Sequence, residues 1–208
     1  MTKKDCLLII GAGGQGKVVA DIALIMGKWQ NVFFADDHEV DTSVMGLKVI
    51  CSSTDVHSYI GKADLIVAIG NNKTRASIQK RLKAEGANFP VLIHPNSTIG
   101  YGVELGKGSV VMAGAVINCH SKIGEGCIVN TGATIDHDNN IGEFVHISPA
   151  VHIAGNVFVG DCTWLGIGSI VSNGIKITHD CTIGAGAVVI RNINSSGTYV
   201  GVPARRIR

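Results

Sequence analysis

The residues best suited to acid–base chemistry form one short polar run, Asp136-His137-Asp138-Asn139-Asn140. An imidazole titrates near neutral pH and can accept a proton, and an adjacent carboxylate can hold the ring in the required orientation. His137 is therefore a candidate general base, and Asp136 and Asp138 are the candidate acids that orient it. The competing interpretation is a solvated surface histidine, so the element that carries the run matters.

That run lies inside a repeat with a period of six residues. A branched aliphatic residue recurs at every sixth position from Ile93 to Val189, a small or β-branched residue usually follows four positions later, and glycine is frequent one position later. This spacing fits neither the helix period of 3.6 nor the strand period of 2, but it is typical of a β-helix. The aliphatic and small series should point inward, and the glycines should allow the corners their unusual dihedral angles.

Stacking gives His137 a defined neighbour. If three units complete one coil, residues 18 apart lie on the same face, and Gly155 lies beside His137. Asn139 stands at the small inward position of its unit, where Ile175 is the other departure from the pattern. Glycine leaves the imidazole uncovered and offers a backbone N–H to an oxyanion. These features together favour a catalytic His137.

Zinc binding is an alternative use of the histidines. A catalytic zinc site needs three converging ligands and an open position for water. His137, His146 and His152 are the candidates, but their positions in the repeat do not converge, so no metal is expected. For His120 and His179 a solvated or locally hydrogen-bonded side chain is expected.

A second candidate site lies near the start of the chain. An apolar strand predicted at Cys6–Ile10 leads into GAGGQG at residues 11–16, and a helix is predicted at Lys17–Met26. In this context glycines let the backbone approach a phosphate, and the helix N-terminus favours an anion. Asp36 lies 20 residues after Gly16, where a ribose-binding acid is expected. The competing interpretation is a tight turn without a ligand.

The first ninety residues alternate strand and helix patterns, which indicates a small Rossmann-like parallel sheet. Further strands are predicted at Val32–Ala35, Lys48–Cys51 and Leu65–Ile69, and a helix at Thr74–Glu85. Residues 1–90 are thus predicted to form an α/β domain and residues 91–208 an all-β solenoid. Ninety residues are too few for a complete dinucleotide fold, so a mononucleotide or a nucleotide-sugar is the expected ligand.

Composition narrows the functional classes. The net charge of +2 over 208 residues is too balanced to indicate nucleic acid or a membrane surface as a partner. No segment reaches the roughly 18 apolar residues that span a bilayer. The six cysteines show neither metal spacing nor CxxC, and reduced thiols in a cytoplasmic protein are expected.

Several stretches together resemble a known family. The six-residue units resemble the bacterial hexapeptide acyltransferases, which are left-handed parallel β-helices. The ordered series GAGGQGKVVADIA, FFADD, VAIGNN, IDHDNNIGEFVHISP, IAGNV and YVGVPAR resembles the sialic-acid O-acetyltransferase-like group, and in particular the UDP-4-amino-sugar N-acetyltransferases of bacterial glycan biosynthesis. The match covers nearly the whole chain. It is specific for the family and not for the substrate.

The resemblance implies a homotrimer that moves an acetyl group from acetyl-CoA to the 4-amino group of a UDP-linked sugar at subunit interfaces. His137 would be the general base, Asp138 its orienting partner and Gly155 the donor to the thioester carbonyl. The family often has Glu in place of Asp138, so Asp136 stays a candidate for that role. The residues implied to bind the nucleotide-sugar are Gly13, Gly14, Gln15, Asp36, Asp37, Asn71 and Asn130. Those implied to contact acetyl-CoA are His146, Gly155, Ile167, Gly168 and Gly186.

Other functions remain open at this point. A histidine base serves a hydroxyl acceptor as well as an amine, so sugar O-acetylation is an alternative. A zinc enzyme of the γ-carbonic-anhydrase type and a non-catalytic nucleotide-sugar-binding scaffold are the others. The sequence alone also leaves open which sugar is bound, and whether the nucleotide is UDP, GDP or CMP.

Overall fold

The computed structural model describes residues 4–38 and 40–207. The chain separates into two compact units, the first ending at Ile93 and the second beginning at His94. No helix in the described ranges is long and apolar enough to cross a lipid bilayer. All six cysteines lie within these ranges, and none of them forms a disulfide.

The first unit contains a five-stranded sheet and two helices. The strands are β1 (Lys4–Ile10), β2 (Trp29–Ala35), β3 (Ser43–Val44), β4 (Leu47–Cys51) and β5 (Asp64–Val67), the helices are α1 (Gly14–Met26) and α2 (Asn72–Ala84), and a 3₁₀ helix (Asp55–Tyr59) and strand β6 (Leu92–Ile93) complete the unit. The sheet order is β3-β4-β2-β1-β5, and every pair is parallel except β3–β4. This confirms the predicted Rossmann-like parallel sheet.

Both helices begin earlier than predicted. Helix α1 begins at Gly14 rather than Lys17, so Gly16 lies in its first turn. Gly16 packs on the Gly11 carbonyl so closely that no side chain would fit there. Helix α2 begins at Asn72 rather than Thr74. The Asn71 side chain caps it, since its Oδ1 accepts a hydrogen bond from Thr74 N at 3.0 Å. An asparagine at this position satisfies one of the unpaired N–H groups of the first turn.

The second unit consists of one short strand per six-residue unit. In chain order the strands are β7 (Thr98–Ile99), β8 (Glu104–Leu105), β9 (Val110–Val111), β10 (Val116–Ile117), β11 (Lys122–Ile123), β12 (Ile128–Val129), β13 (Thr134–Ile135), β14 (Asn140–Ile141), β15 (His146–Ile147), β16 (His152–Ile153), β17 (Phe158–Val159), β18 (Trp164–Leu165), β19 (Ile170–Val171), β20 (Lys176–Ile177), β21 (Cys181–Ile183), β22 (Val188–Val189), β23 (Gly197–Val200) and β24 (Arg205–Arg206). Strands three units apart pair in parallel, so residues 18 apart lie side by side. Three units therefore make one coil, and the predicted β-helix is confirmed.

The coils form three sheets, which the chain visits in turn. One sheet has the order β22-β19-β16-β13-β10-β7, the second β20-β17-β14-β11-β8, and the third contains β21-β18-β15-β12-β9 with β23 and β24 added at its C-terminal end. Side chains of the aliphatic series point inward, and Ile117, Ile135 and Ile147 have no exposed surface. The small series is also buried, as Ala115 and Ala133 show. The core is thus filled along its whole length by stacked equivalents.

Glycines in the repeat serve a different purpose from the one predicted. The left-handed conformation occurs three positions after every aliphatic residue of the series from Ile99 to Ile183, for example at Gly114 (φ +70°) and at Asp138 (φ +57°). Glycines one position after the aliphatic residue lie outside that region. A Cβ on Gly100, however, would lie 2.7 Å from Cys119 N on the next coil. These glycines are needed for the close approach of neighbouring coils, so the prediction about corner dihedrals was wrong for them.

Candidate active site

His137 lies on the corner Asp136–Asn139, which joins β13 to β14. Its ring is 53% exposed, and its Nδ1 lies 2.8 Å from Asp138 Oδ2. Asp136 does not contact the ring, because its Oδ1 accepts hydrogen bonds from the backbone His137 N and from the side chain of Asn118 through Nδ2, each at 2.9 Å. Of the two candidate acids, Asp138 therefore holds the ring and Asp136 supports the corner.

The hydrogen bond to Asp138 raises the pKa of His137 above its ordinary value; desolvation opposes this, and the charges of Asp136 and Asp138 add to it. Hydrogen bonds from Asn118 and from the His137 N–H lower the pKa of Asp136 below its ordinary value. With Nδ1 directed at Asp138, Nε2 is the nitrogen that can accept a proton from a substrate.

The next coil places Gly155 against this imidazole. A Cβ on Gly155 would lie 2.6 Å from both Cε1 and Nε2 of His137. Gly155 is buried, and within the described residues its N–H has no hydrogen-bond acceptor. A proton acceptor and an unused N–H donor thus lie side by side, which is the arrangement that acyl transfer requires.

A second histidine–aspartate pair shows what is specific to this site. His179 Nδ1 lies 2.8 Å from Asp180 Oδ2, and Asp180 has φ +53°, so the local geometry repeats that of His137 and Asp138. On the next coil, however, Gly197 pairs with Cys181 and not with His179. The hydrogen-bonded pair is therefore a local property of the corner, whereas the uncovered Nε2 edge depends on Gly155.

His146 and Asn130 form a separate group. Asn130 Nδ2 lies 3.3 Å from His146 Nε2, and the His146 ring stacks on Trp164 with ring centroids 6.1 Å apart. Sequence reasoning missed Trp164, although it stands 18 residues after His146 at the same outward position. Its Nε1 donates to Ser148 Oγ at 2.8 Å, which fixes the indole and with it the imidazole.

Three more residues expected near acetyl-CoA, Ile167, Gly168 and Gly186, lie away from the corner of His137, whereas Gly155 lies against it. Ile167 and Gly168 form the corner between β18 and β19, and Gly186 N donates to Ile167 O at 2.9 Å from the next coil. Asn130 lies on a corner between the same two sheets. The corner of His137 joins a different pair of sheets, so one chain does not bring the two groups onto one edge.

The three histidines weighed as zinc ligands do not cluster. In residues 4–38 and 40–207, no three histidine, cysteine or carboxylate side chains lie close enough to hold a metal ion. His152 Nδ1 instead lies 2.8 Å from Thr134 Oγ1, and His137 is held by Asp138.

In the first unit, the predicted nucleotide-sugar residues follow β1, β2 and β5, whose carboxyl ends share one edge of the sheet. Asp36 Oδ2 accepts from Ala12 N at 2.8 Å and its Oδ1 from His38 N at 3.0 Å. Asp37 accepts from Ser53 N and Ser53 Oγ, and these bonds lower the pKa of Asp37. Both acids therefore organise the loops at this edge.

Gly13 and Gly14 differ from the other glycines of the loop. Both are exposed, and a Cβ on either would meet nothing within 4 Å, whereas Gly16 packs on Gly11. Packing within the unit thus does not explain glycine at these two positions, while the close approach of a ligand would. Gln15 Nε2 is buried and has no hydrogen-bond partner among the described residues.

Buried Arg75 holds the loop that carries Asn71, and the sequence reasoning did not single it out. Its Nη1 donates to the carbonyls of Ile69 at 2.9 Å and Gly70 at 3.2 Å, and its Nη2 donates to Asn72 Oδ1 at 2.8 Å. The signal available in the sequence was an arginine one turn into a helix after an apolar strand, which is too common to be diagnostic.

Comparison with known proteins identifies the family. Residues 6–82 match the PglD N-terminal domain, and residues 92–119 and 152–191 match the hexapeptide repeat of succinyl-transferase. The acetyltransferase domain of PglB from Neisseria gonorrhoeae FA1090, solved in complex with acetyl coenzyme A, is 40% identical, with 99% of this chain and 100% of that chain covered and a TM-score of 0.95. The chain belongs to this family of hexapeptide-repeat acetyltransferases. The predicted resemblance is thereby confirmed.

Two further relatives act on or bind nucleotide sugars. PerB from Caulobacter crescentus, solved with CoA and GDP-perosamine, is 36% identical over 97% of each chain, with a TM-score of 0.89. UDP-N-acetylbacillosamine N-acetyltransferase from Bacillus subtilis (strain 168) is 34% identical over 109 residues, which are 50% of each protein. The match therefore spans about half the length of this curated relative.

We expect Gly155→Ala to impair chemistry more than stability. Its Cβ would strike the far end of an exposed side chain, so the His137 ring can swing aside, and the free energy of unfolding should change by only about 1 kcal/mol. Displacement of the base should lower the rate of acetyl transfer on the order of tenfold or more. Denaturant unfolding and steady-state kinetics measure the two effects. In Gly100→Ala the Cβ would strike backbone, so we expect the free energy of unfolding to fall more and the rate of acetyl transfer to fall less than in Gly155→Ala. Equal changes of both quantities in the two variants would contradict this account.

Asp138→Asn should lower the pKa of His137, because it removes the negative partner of Nδ1 while Asn still tolerates the left-handed conformation. A general base must be neutral to act, so the raised pKa places the acidic limb of the kcat/KM profile above the ordinary histidine value of 6.5. The variant should move that limb to lower pH. Asp180→Asn is the matched control and should leave the profile unchanged. A limb that stays in place in Asp138→Asn would show that another group controls it.

Proposed function

We propose that the protein transfers the acetyl group of acetyl-CoA to the amino group of a nucleotide-linked amino sugar. The observation that carries this proposal is the Nε2 edge of His137, held by Asp138 and lying directly over Gly155. The PglB domain was solved with acetyl coenzyme A and PerB with CoA and GDP-perosamine, and both are similar to this chain along nearly its full length.

In the proposed reaction the amine nitrogen attacks the thioester carbonyl carbon directly. As the C–N bond forms, the amine proton passes to His137 Nε2, an effect worth about 10²- to 10⁴-fold in rate. Gly155 N–H donates to the carbonyl oxygen as it becomes negative, and one such donor contributes about 3 kcal/mol. The C–S bond then breaks, and the CoA thiolate takes the proton from the imidazolium. The products are the acetamido sugar and CoA.

The glycine loop of the first unit would hold the nucleotide. Gly13 and Gly14 allow a phosphate to approach the N-terminus of α1, and Gln15 would present its amide after rotation. Asp36 and Asp37 stabilise the loops and retain acceptor capacity for ribose hydroxyls. A UDP-linked 4-amino sugar is the first candidate because the Bacillus subtilis relative is named for a UDP sugar. A GDP-linked sugar is the second, because PerB was solved with GDP-perosamine.

The separation of the two residue groups suggests an active site shared between subunits. His137, Asp138 and Gly155 lie on one corner, whereas Asn130 and His146 lie on and beside another. A site that uses both groups needs two copies of the chain, and a closed cyclic assembly such as a homotrimer would supply one site per interface. Acetyl-CoA would then contact His146, Ile167, Gly168 and Gly186 of one subunit and Gly155 of the next. Asn130 would lie near the sugar.

The absence of disulfides among the six cysteines supports a reducing compartment, since thiols stay reduced in the cytosol. We therefore assign the reaction to the cytoplasm.

We expect His137→Ala to lower kcat by about a hundredfold or more, because the proton then has no acceptor. Acetyl-CoA binding should be largely kept, since Gly155 is the one predicted CoA contact beside His137 and the others lie on a different corner. Thiol release from acetyl-CoA, measured with UDP- and GDP-linked 4-amino sugars and with their 4-hydroxy counterparts, tests both substrate and mechanism. His179→Ala removes a histidine of the same geometry and should retain full activity. Turnover with the hydroxy sugars alone would establish O-acetylation instead, and no turnover with any acceptor would remove the transferase proposal.

Mixing two inactive variants tests the shared site. His137→Ala and His146→Ala should each be impaired alone, but after subunit exchange roughly a quarter of the sites should combine an intact His137 with an intact His146. Recovered activity of about that size is the expected result, with subunit exchange checked by native mass spectrometry. Complete exchange without recovery would mean that each site lies within one chain.

A further inference from the structure

Asn139 is a buried amide at a position where the repeat otherwise has small or apolar side chains. It stands four residues after the inward Ile135, is only 1% exposed, and is the one amide in that series of the sequence. A polar group buried in a tightly packed interior is costly unless it is hydrogen-bonded. The partners of Asn139 therefore indicate why it is there.

Three hydroxyl groups at this inner position, those of Ser109, Ser121 and Thr163, tie one coil to the next. Ser109 Oγ donates to the carbonyl of Gly124, 15 residues ahead, at 2.8 Å, and accepts from the N–H of Cys127, 18 residues ahead, at 2.9 Å. Thr163 makes the same pair of bonds 15 and 18 residues ahead. Both bonds of these hydroxyls thus point forward along the solenoid.

Like these hydroxyls, Asn139 accepts a hydrogen bond from the next coil, but unlike them it donates toward earlier residues of its own coil. Its Oδ1 accepts from Val157 N, 18 residues ahead, at 2.8 Å. Its Nδ2 donates backward, to the carbonyl of Asp136 at 2.7 Å and to that of His137 at 3.4 Å. A hydroxyl has one proton and a short reach, whereas an amide can accept on one side and donate twice on the other. The carbonyl of Asp136 also receives Ser121 Oγ at 2.7 Å, so this corner is held from within by two side chains.

These bonds connect the two corners that make up the proposed active site. The carbonyls of Asp136 and His137 belong to the corner of the base, and Val157 follows Gly155 by two residues on the neighbouring coil. We propose that Asn139 is a positioning residue that fixes His137 against Gly155 by holding both corners from inside the solenoid. The expected fall in kcat rests on the proposed function, whereas the expected fall in the pKa of the His137 imidazole does not.

Asn139→Ser tests this proposal, because serine already occupies the same inner position at residues 109 and 121 and the fold accepts it. Serine can still accept from Val157 N, but its single proton can hold at most one of the two carbonyls of the His137 corner, as Ser97 Oγ holds the carbonyl of His94 at 2.7 Å. The hydrogen bond between His137 and Asp138 should loosen, so NMR titration should show a lower pKa of the His137 imidazole than in the wild type. We expect kcat to fall on the order of tenfold or more while KM for acetyl-CoA changes by less than about threefold.

Thr163→Val is the matched control, because it removes an inner hydroxyl with the same forward bonds on a corner away from His137. It should lower the melting temperature to a comparable extent and leave both kcat and the His137 titration unchanged. Asn139→Val, which places at 139 the residue found at 157, removes every one of these side-chain bonds and should show the same changes as Asn139→Ser at least as strongly. A wild-type titration curve in Asn139→Val, or an equal loss of kcat in Thr163→Val, would overturn the proposal.

The titration also separates this proposal from the proposed function. If the wild type transfers acetyl to none of the acceptors and Asn139→Ser still shifts the His137 titration, the function fails and the positioning role stands. If the wild type is active and the titration does not move, the positioning role fails alone.

Discussion

The solenoid is governed by one constraint, the parallel backbone pairing that, from β7 to β22, sets each strand residue beside the residue 18 positions away. Because the chain carries no insertion between Ile93 and Val189, this register is the same at every level. It packs the aliphatic series on itself, and it requires glycine where one coil passes close to the next. It also places Gly155 under His137, so the repeat that stabilises the fold also builds the candidate site.

Local and long-range contributions to that site can be separated. The pair of His179 and Asp180 shows that two adjacent residues on a corner are enough to orient an imidazole. His137 combines this carboxylate with a glycine in register on the neighbouring coil, and this glycine both uncovers Nε2 and supplies a donor, whereas His120 lies against Gly102 but has no carboxylate beside it in the sequence. The chemistry therefore comes from a combination of two coils, and Asn139 is the side chain that connects them from inside.

In the glycine loop of the first unit, packing explains some of the glycines but not others. Gly11 and Gly16 are required by packing, and Asp36 ties the glycine loop to the end of β2 through Ala12 N. Gly13 and Gly14 are left open at the edge of the sheet. Residues that stabilise the loop are thus distinct from those that leave room for a ligand, although all of them belong to one short motif.

The sequence by itself determined the solenoid, its three-unit coil and the pairing of His137 with Gly155, because a strict period of six leaves one register. It also determined the Rossmann-like sheet from alternating strand and helix patterns. Three features became visible in the folded chain: Asp138 rather than Asp136 holds the ring, Asn139 donates backward, and His137 and His146 lie on different edges. The physical reason is that hydrogen bonds depend on the directions of individual carbonyl and side-chain groups. A sequence period specifies which residues are neighbours but does not specify those directions.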